Sequence, residues 1–203
     1  MTTLYQLGPT NSLLYSTDTL FGVESLASTP SPGSEFVENM AGGITVEGYR
    51  RTVWKFGFMA VTIYHRLLAT VLSSAGTGTV DITTTTALEG GGTAFTTQLV
   101  VDADIWVAPT GGFDNIGIIY SITDADSAVM AAAWANTLNT QAFRYRLPTT
   151  YSSTCVVVTR SDVDNFRKWN AVIRMPNPKD LKRWGGDYED VVLDFVLTSL
   201  NVS

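Results

Sequence analysis

The chain has 203 residues, 45% of them apolar and 16% charged, well below the roughly 25% charged fraction of an average soluble domain, which suits a buried core and excludes a disordered chain. Lys and Arg number 13 against 19 Asp and Glu, a formal charge of −6, which excludes the cationic field of a stand-alone nucleic-acid binder. The single cysteine, Cys155, rules out an intramolecular disulfide and a Cys-rich zinc site.

Residues 1–44 are rich in Ser, Thr, Pro and Gly, with STPSPGSEF at 28–36, and read as an extended N-terminal arm ahead of a β-rich domain at 45–203. Tyr5, Leu13, Leu14, Tyr15, Phe21 and Phe36 recur there at no regular period, which suits burial in the grooves of a neighbour. Asp18, Glu24, Glu35, Glu38 and Glu47 all precede the first basic residue, Arg50. That position is too late to flank a signal peptide, and no apolar run nears the ~20 residues of a membrane span. Synthesis and folding in a cytoplasm, without a membrane partner, are therefore expected.

From Thr52 the pattern has period two, with Trp54, Phe56, Phe58 and Ala60 on one face of a strand and Lys55 and Gly57 on the other. Thr62 then offers an N-cap, Tyr64, Leu67, Leu68, Val71, Leu72 and Ala75 follow at helical spacing, and Gly76 supplies a stop, so a helix is predicted over 62–75. A strand at 79–86 around Val80 and Ile82 turns at Gly90, Gly91 and Gly92 into a returning strand at 95–107. On that strand Leu99, Val101, Ala103, Ile105 and Val107 share one face, which leaves Asp102, Asp104 and Trp106 on the other.

After Pro109, Gly111 and Gly112 comes a strand at 115–122, and then a second helix is predicted over 124–138. Thr123 or Asp124 would cap it, and Val129, Met130, Ala133, Trp134, Thr137 and Leu138 would form its stripe. Phe143, Tyr145 and Leu147 alternate with Arg144 and Arg146 in a short strand closed by Pro148. Strands at 154–160, 168–175 and 188–197 complete a mainly β, α+β chain: an antiparallel sandwich or barrel with two flanking helices.

The two halves carry similar stretches. ADIWVAP at 103–109 matches NAVIRMP at 170–176, and GGFDNIGIIYSIT at 111–123 matches GGDYEDVVLDFVLT at 185–198 with one residue of slack. Tandem units at about 52–110 and 115–200 are expected, with Ile118 set against Leu193 and Tyr120 against Phe195. Two units per subunit would let three copies close a ring with pseudo-sixfold contacts, and six copies are the alternative.

No catalytic constellation can be drawn. His65 is the single histidine, the Gly90 to Gly92 run lacks the Lys-Ser/Thr of a phosphate loop, and Cys155 sits among valines as a packed small hydrophobe. The pairs Asp102 and Asp104, Asp124 and Asp126, and Asp162 and Asp164 lack a calcium-loop pattern, so neither metal nor cofactor is expected. Trp106, on the polar face of its strand, and Trp184, between Arg183 and Gly185, are candidate contact residues together with Arg144, Arg146, Arg183 and the arm aromatics Tyr5, Tyr15, Phe21 and Phe36. The late basic cluster of Arg160, Arg167, Lys168, Arg174, Lys179, Lys182 and Arg183 contrasts with the acidic arm, an asymmetry that suits self-association.

The strand TVWKFGFMA, the helix IYHRLLATVLSS, the Thr-rich strand TVDITTTT and the closing FRKWNAVIRMPNPKDLKRWGGDYEDVVLDFVLTSL together resemble structural tail proteins of long-tailed bacteriophages, over about residues 44–200. The resemblance implies a tail-tube type of β-sandwich and a non-enzymatic role in the virion tail, after assembly in the host cytoplasm. It implies a homo-oligomeric ring, trimer or hexamer, built with other tail proteins around the genome channel, as tube, tail-tip or connector. The second helix and the long arm depart from that pattern. A virion surface module that binds a receptor or glycan through Trp106 and Trp184 is the alternative.

Overall fold

The computed structural model describes residues 6–9, 15–16, 33–38, 44–108, 113–160 and 166–200. In chain order the elements are β1 (Gln6–Pro9), β2 (Tyr15–Ser16), β3 (Gly33–Glu38), β4 (Ile44–Ala60), α1 (Val61–Val71), β5 (Ser74–Ala75), β6 (Thr79–Ile82), β7 (Ala87–Gly91), α2 (Phe95–Gln98), β8 (Asp104–Val107), β9 (Asp114–Ile122), β10 (Ser127–Met130), β11 (Leu138–Gln141), β12 (Phe143–Arg146), β13 (Ser152–Arg160), β14 (Phe166–Arg174), a 3-10 turn at Pro178–Asp180, β15 (Arg183–Trp184) and β16 (Asp187–Leu200). The fold is mainly β, with two antiparallel sheets and two helices, and it divides into a unit of residues 1–63 and 151–203 and a unit of residues 64–150.

In the first unit the sheet runs β2-β1-β13-β14-β16-β4-β3, with β15 added to β16. The expected alternation holds at the buried Trp54 and Phe56 and the exposed Lys55, then slips, because Met59 is buried and Phe58 is exposed. The cause lies in the β4–β16 ladder, which skips the Gly57–Asp190 pair between Phe58↔Glu189 and Phe56↔Val191. Asp190 has φ 51°, a left-handed conformation, and beyond it burial passes from Tyr188 to Val191 without the usual alternation. Both strands therefore turn over together, and Phe58 leaves the core.

The arm does not stay apart from the sheet. Gln6–Pro9 pairs with β13, with Leu7 fully buried opposite Val157, and Gly33–Glu38 pairs with β4. The described parts of 1–44 thus belong to the domain's own ladders, which corrects the expectation of an extended arm set ahead of the β-rich domain. Regular periodicity was absent because each segment adds only a short strand to an existing edge.

Cys155 is buried in β13, and burial pushes its thiol from 9.0 up to about 12. The folded chain then keeps a proton that the unfolded chain releases, so the stability from this site is complete below pH 9 and is lost as pH rises from 9 toward 12. Cys155 is expected to react with a thiol reagent at pH 8 at a rate set by unfolding, and at full speed in denaturant. Equal rates in both conditions would contradict its burial.

The second unit carries the sheet β11-β6-β7-β10-β9-β8-β12-β5 and a core built from Val80, Ile82, Leu88, Phe95, Ile105, Ile119 and Phe143, among others. Phe95 meets Phe143 edge-on at 5.8 Å. Gly76 lies against the Phe143 ring so closely that a Cβ there would come within 2.1 Å of it. Gly76→Ala is therefore expected to cost about 1–3 kcal/mol in urea denaturation although its backbone angle is ordinary, and an unchanged midpoint would contradict this packing.

Helix 62–75 is present as Val61–Val71, with Tyr64, Leu67, Leu68 and Val71 buried. The second predicted helix is absent: within 124–138 the chain forms β10, an irregular run, and the start of β11. Asp124 does not cap a helix. Its Oδ1 accepts from the Asp126 N–H, while Thr123 and Asp124 donate to the Ser127 carbonyl, so the chain reverses and β10 enters the sheet between β9 and β7.

Two more expectations are corrected in this unit. Gly90 and Gly91 lie inside β7, and the hairpin turn is formed by the threonines at 83–86, where the Thr83 and Thr85 hydroxyls bond each other and Thr85 Oγ1 accepts from the Ala87 N–H. The run 95–107 is not one strand, because α2 occupies its start.

The tandem halves do not match the observed units, since 52–110 and 115–200 each take parts of both. The matched stretches do form neighbouring antiparallel strands, β8 with β9 and β14 with β16, in different sheets. Their partners differ, and Tyr120 is exposed where its counterpart Phe195 is fully buried. Pro109, Gly111 and Gly112 lie outside the described residues.

Candidate functional site

Three residues of the expected contact surface, Trp106, Arg144 and Arg146, converge with Asp104 on β8 and β12. Trp106 pairs with Arg144 and Asp104 with Arg146, which places all four side chains on one face of the sheet, opposite the Ile105, Val107 and Phe143 core. That face is not a surface. Trp106 is 0% exposed, Arg146 4% and Asp104 7%. Arg146 donates from Nε and Nη2 to Asp104 Oδ2, the former over 3.0 Å, and from Nη1 to the Thr150 carbonyl at 3.1 Å.

Arg144 serves the end of α1. Its Nε donates to the Ala69 carbonyl at 3.0 Å and Ser73 Oγ at 2.7 Å, its Nη2 donates to the Ser73 carbonyl at 2.7 Å, and its guanidinium lies 5.4 Å from the centre of the Phe113 ring. Burial lowers its pKa from the ordinary arginine value. Trp106 and Arg146 are thus interior residues and Arg144 is half-buried against the end of α1, a correction to the contact surface expected from the sequence. Alternation identifies a polar face correctly, but a polar face whose charges satisfy one another and a helix end can be closed to water.

Trp184 stands where a contact residue should. It pairs with Asp187 across the Gly185–Gly186 turn, with Gly185 at φ 59°, and its side chain is 69% exposed. Opposite residues in the β4–β16–β15 ladders put Phe58, Glu189 and Lys182 in one row, Met59, Tyr188 and Arg183 in the next, and Ala60, Asp187 and Trp184 in the one after, with Lys182 bonded to Glu189 through backbone. Lys182 Nζ meets Glu189 Oε2 at 2.6 Å, and this hydrogen bond and charge hold the ammonium above the usual lysine range. Phe58 is 53% exposed, and Val192, also exposed, lies three residues beyond Glu189 on β16, past the exposed Asp190, opposite Lys55. Arg183 is exposed, with Nε on the Gly185 carbonyl.

A second exposed apolar group lies in the other unit. The Asp102 N–H donates to the Ile119 carbonyl, which ties the turn after Val100 and Val101 to β9 at the residue before Tyr120. All three are exposed, Tyr120 to 69%. Sequence periodicity had put Val101 on the core face with Leu99 and Ala103. Asp102 at φ 68° breaks that strand and turns the valines outward.

Tyr5 and Phe21 lie outside the described residues, and Tyr15 and Phe36 stand in β2 and β3 with side chains outside the description. Among the described residues no three of His, Cys, Asp and Glu come together to hold a metal ion, and no helix is long and apolar enough to cross a membrane. Compared with protein-family models, curated proteins and solved structures, the chain matches none.

Proposed function

We propose that this chain is a structural protein of a bacteriophage tail that assembles with itself, and with other tail proteins, into or onto a ring around the genome channel. It has no catalytic role in this reading, resides in the virion, and assembles in the host cytoplasm. The observation that carries the reading is the pair of open antiparallel sheets, which end among the described residues in short strands, β2 and β3 in one and β11 and β5 in the other. The edges are open to a strand from another copy, and although short edge strands limit such pairing, a chain with only 16% charged residues has few charges to guard them. The net charge of −6 suits a channel wall that does not grip DNA.

The alternative, a receptor- or glycan-binding surface module, retains Trp184 but loses Trp106, which is buried. Electron microscopy of the concentrated full chain tests the reading. Rings with an open centre are expected, and a uniform field of single copies would overturn it.

A further inference from the structure

We infer that the first sheet is a clasp that opens while residues 64–150 stay folded, and that 64–150 unfolds only together with it.

The order β2-β1-β13-β14-β16-β4-β3 divides according to where its strands lie in the chain. β13, β14 and β16 pair in succession as an antiparallel meander, with β1 on one edge at β13 and β4 on the other at β16. The N-terminal strands therefore close both edges of the C-terminal meander. Among the described residues two ladders, β1–β13 and β4–β16, join the halves. The whole of 64–150 lies between those halves in the chain, so forming either ladder closes a loop that contains it. Closing a loop costs more entropy the longer the loop is.

The second unit has no such dependence on distant chain. Its ladders join strands between Ser74 and Arg146, and three of them, β6–β7, β8–β9 and β9–β10, join strands that follow one another directly. Its core is drawn from Val80 to Phe143. The Asp104–Arg146 pair and the bonds from Arg144 to the Ala69 and Ser73 carbonyls lie inside the same segment. A contiguous segment with its own core and local ladders is the form that cooperative units of stability take.

The order of opening follows from this difference. Losing the two clasp ladders releases a long closed loop and leaves the core of the second unit whole. Unfolding 64–150 beneath a closed first sheet would instead leave a disordered segment pinned at both ends, which gains less entropy than a free one. In the open form β13 and β16 present both edges of the meander at once, the template to which a further strand adds.

Hydrogen exchange of the dilute full chain tests this with two matched mild substitutions, Ile173→Val in β14 and Ile119→Val in β9, both at fully buried positions. Each is expected to speed exchange about fivefold through any opening that exposes it. The first sheet opens in every unfolding event, so Ile173→Val is expected to speed β4, β13, β14 and β16 and, to the same degree, β6 to β10. Ile119→Val is expected to speed β6 to β10 and to leave the first sheet within about twofold of the unaltered chain. Variants that each speed their own unit alone would show independent opening, and variants that both speed the two units alike would show one cooperative block. Ile119→Val speeding both units while Ile173→Val speeds only its own would reverse the order. Any of these three results overturns the inference.

Discussion

Replacing Asp104 by Ala is expected to destabilise the 64–150 unit by about 3–5 kcal/mol, the usual cost of leaving one member of a buried ion pair uncompensated. Arg146 is almost wholly buried, and Asp104 is the carboxylate that two of its nitrogens address. Without it the guanidinium keeps the Thr150 carbonyl and its charge, in surroundings that offer water little access. The pair itself need not be strongly stabilising, because its mutual attraction offsets the desolvation of two ions. Asp104→Leu combined with Arg146→Met removes both charges and should recover most of the loss. Urea denaturation of the single and double variants checks both statements. A loss near 1 kcal/mol or less for Asp104→Ala, as for a surface pair, would show that the site is wet.

In the other unit, Trp54→Ala is expected to cost about 3–5 kcal/mol through lost burial and the cavity it leaves. Trp54 is 1% exposed, and its ring lies 4.8 Å from that of Phe195 at a tilt of 52°. Its strand neighbour on β16, Leu193, is likewise fully buried, so there is little mobile structure nearby to collapse into the gap. Trp184→Ala is the informative contrast. It removes the same side chain from an exposed hairpin and should leave the urea midpoint within about 0.5 kcal/mol of its original stability. Equal losses at the two positions would contradict the assignment of one tryptophan to the core and the other to the surface.

These two tryptophans also show how far the sequence is legible. Trp54 declares itself by period-two alternation with Phe56, and the helix after it by its stripe from Tyr64 to Val71. β14 and β16 are equally plain, since burial alternates from Trp169 to Ile173 in the first and from Val191 to Leu197 in the second. What hides is decided by single residues acting on the backbone. Asp190 turns two strands over and exposes Phe58, Asp102 turns Val101 outward, and the Asp124 side chain closes a turn where a helix cap was expected. In the last case Val129, Met130 and Trp134 fit a helical stripe, but Ala128 and Met130 are both buried at strand spacing. Tertiary pairing with β7 and β9 overrides local propensity there.

The candidate site was legible in its residue types more than in its location. Trp184 beside a Gly-Gly turn announces an exposed aromatic. Trp106 on a face with Arg144 and Arg146 reads the same way in sequence, yet closes inward because Asp104 and the end of α1 consume the charges. Tyr120 and Phe58 carried no distinguishing signal, since each sits in a strand pattern that ordinarily places it inside.

Self-association is the claim on which the functional reading depends, and the mass of the full chain at equilibrium in the centrifuge measures it most directly. Across rising concentration the mass is expected to climb from the 22.0 kDa of one copy to a closed multiple of it. A mass fixed at 22.0 kDa for the unaltered chain over the whole range would contradict the account.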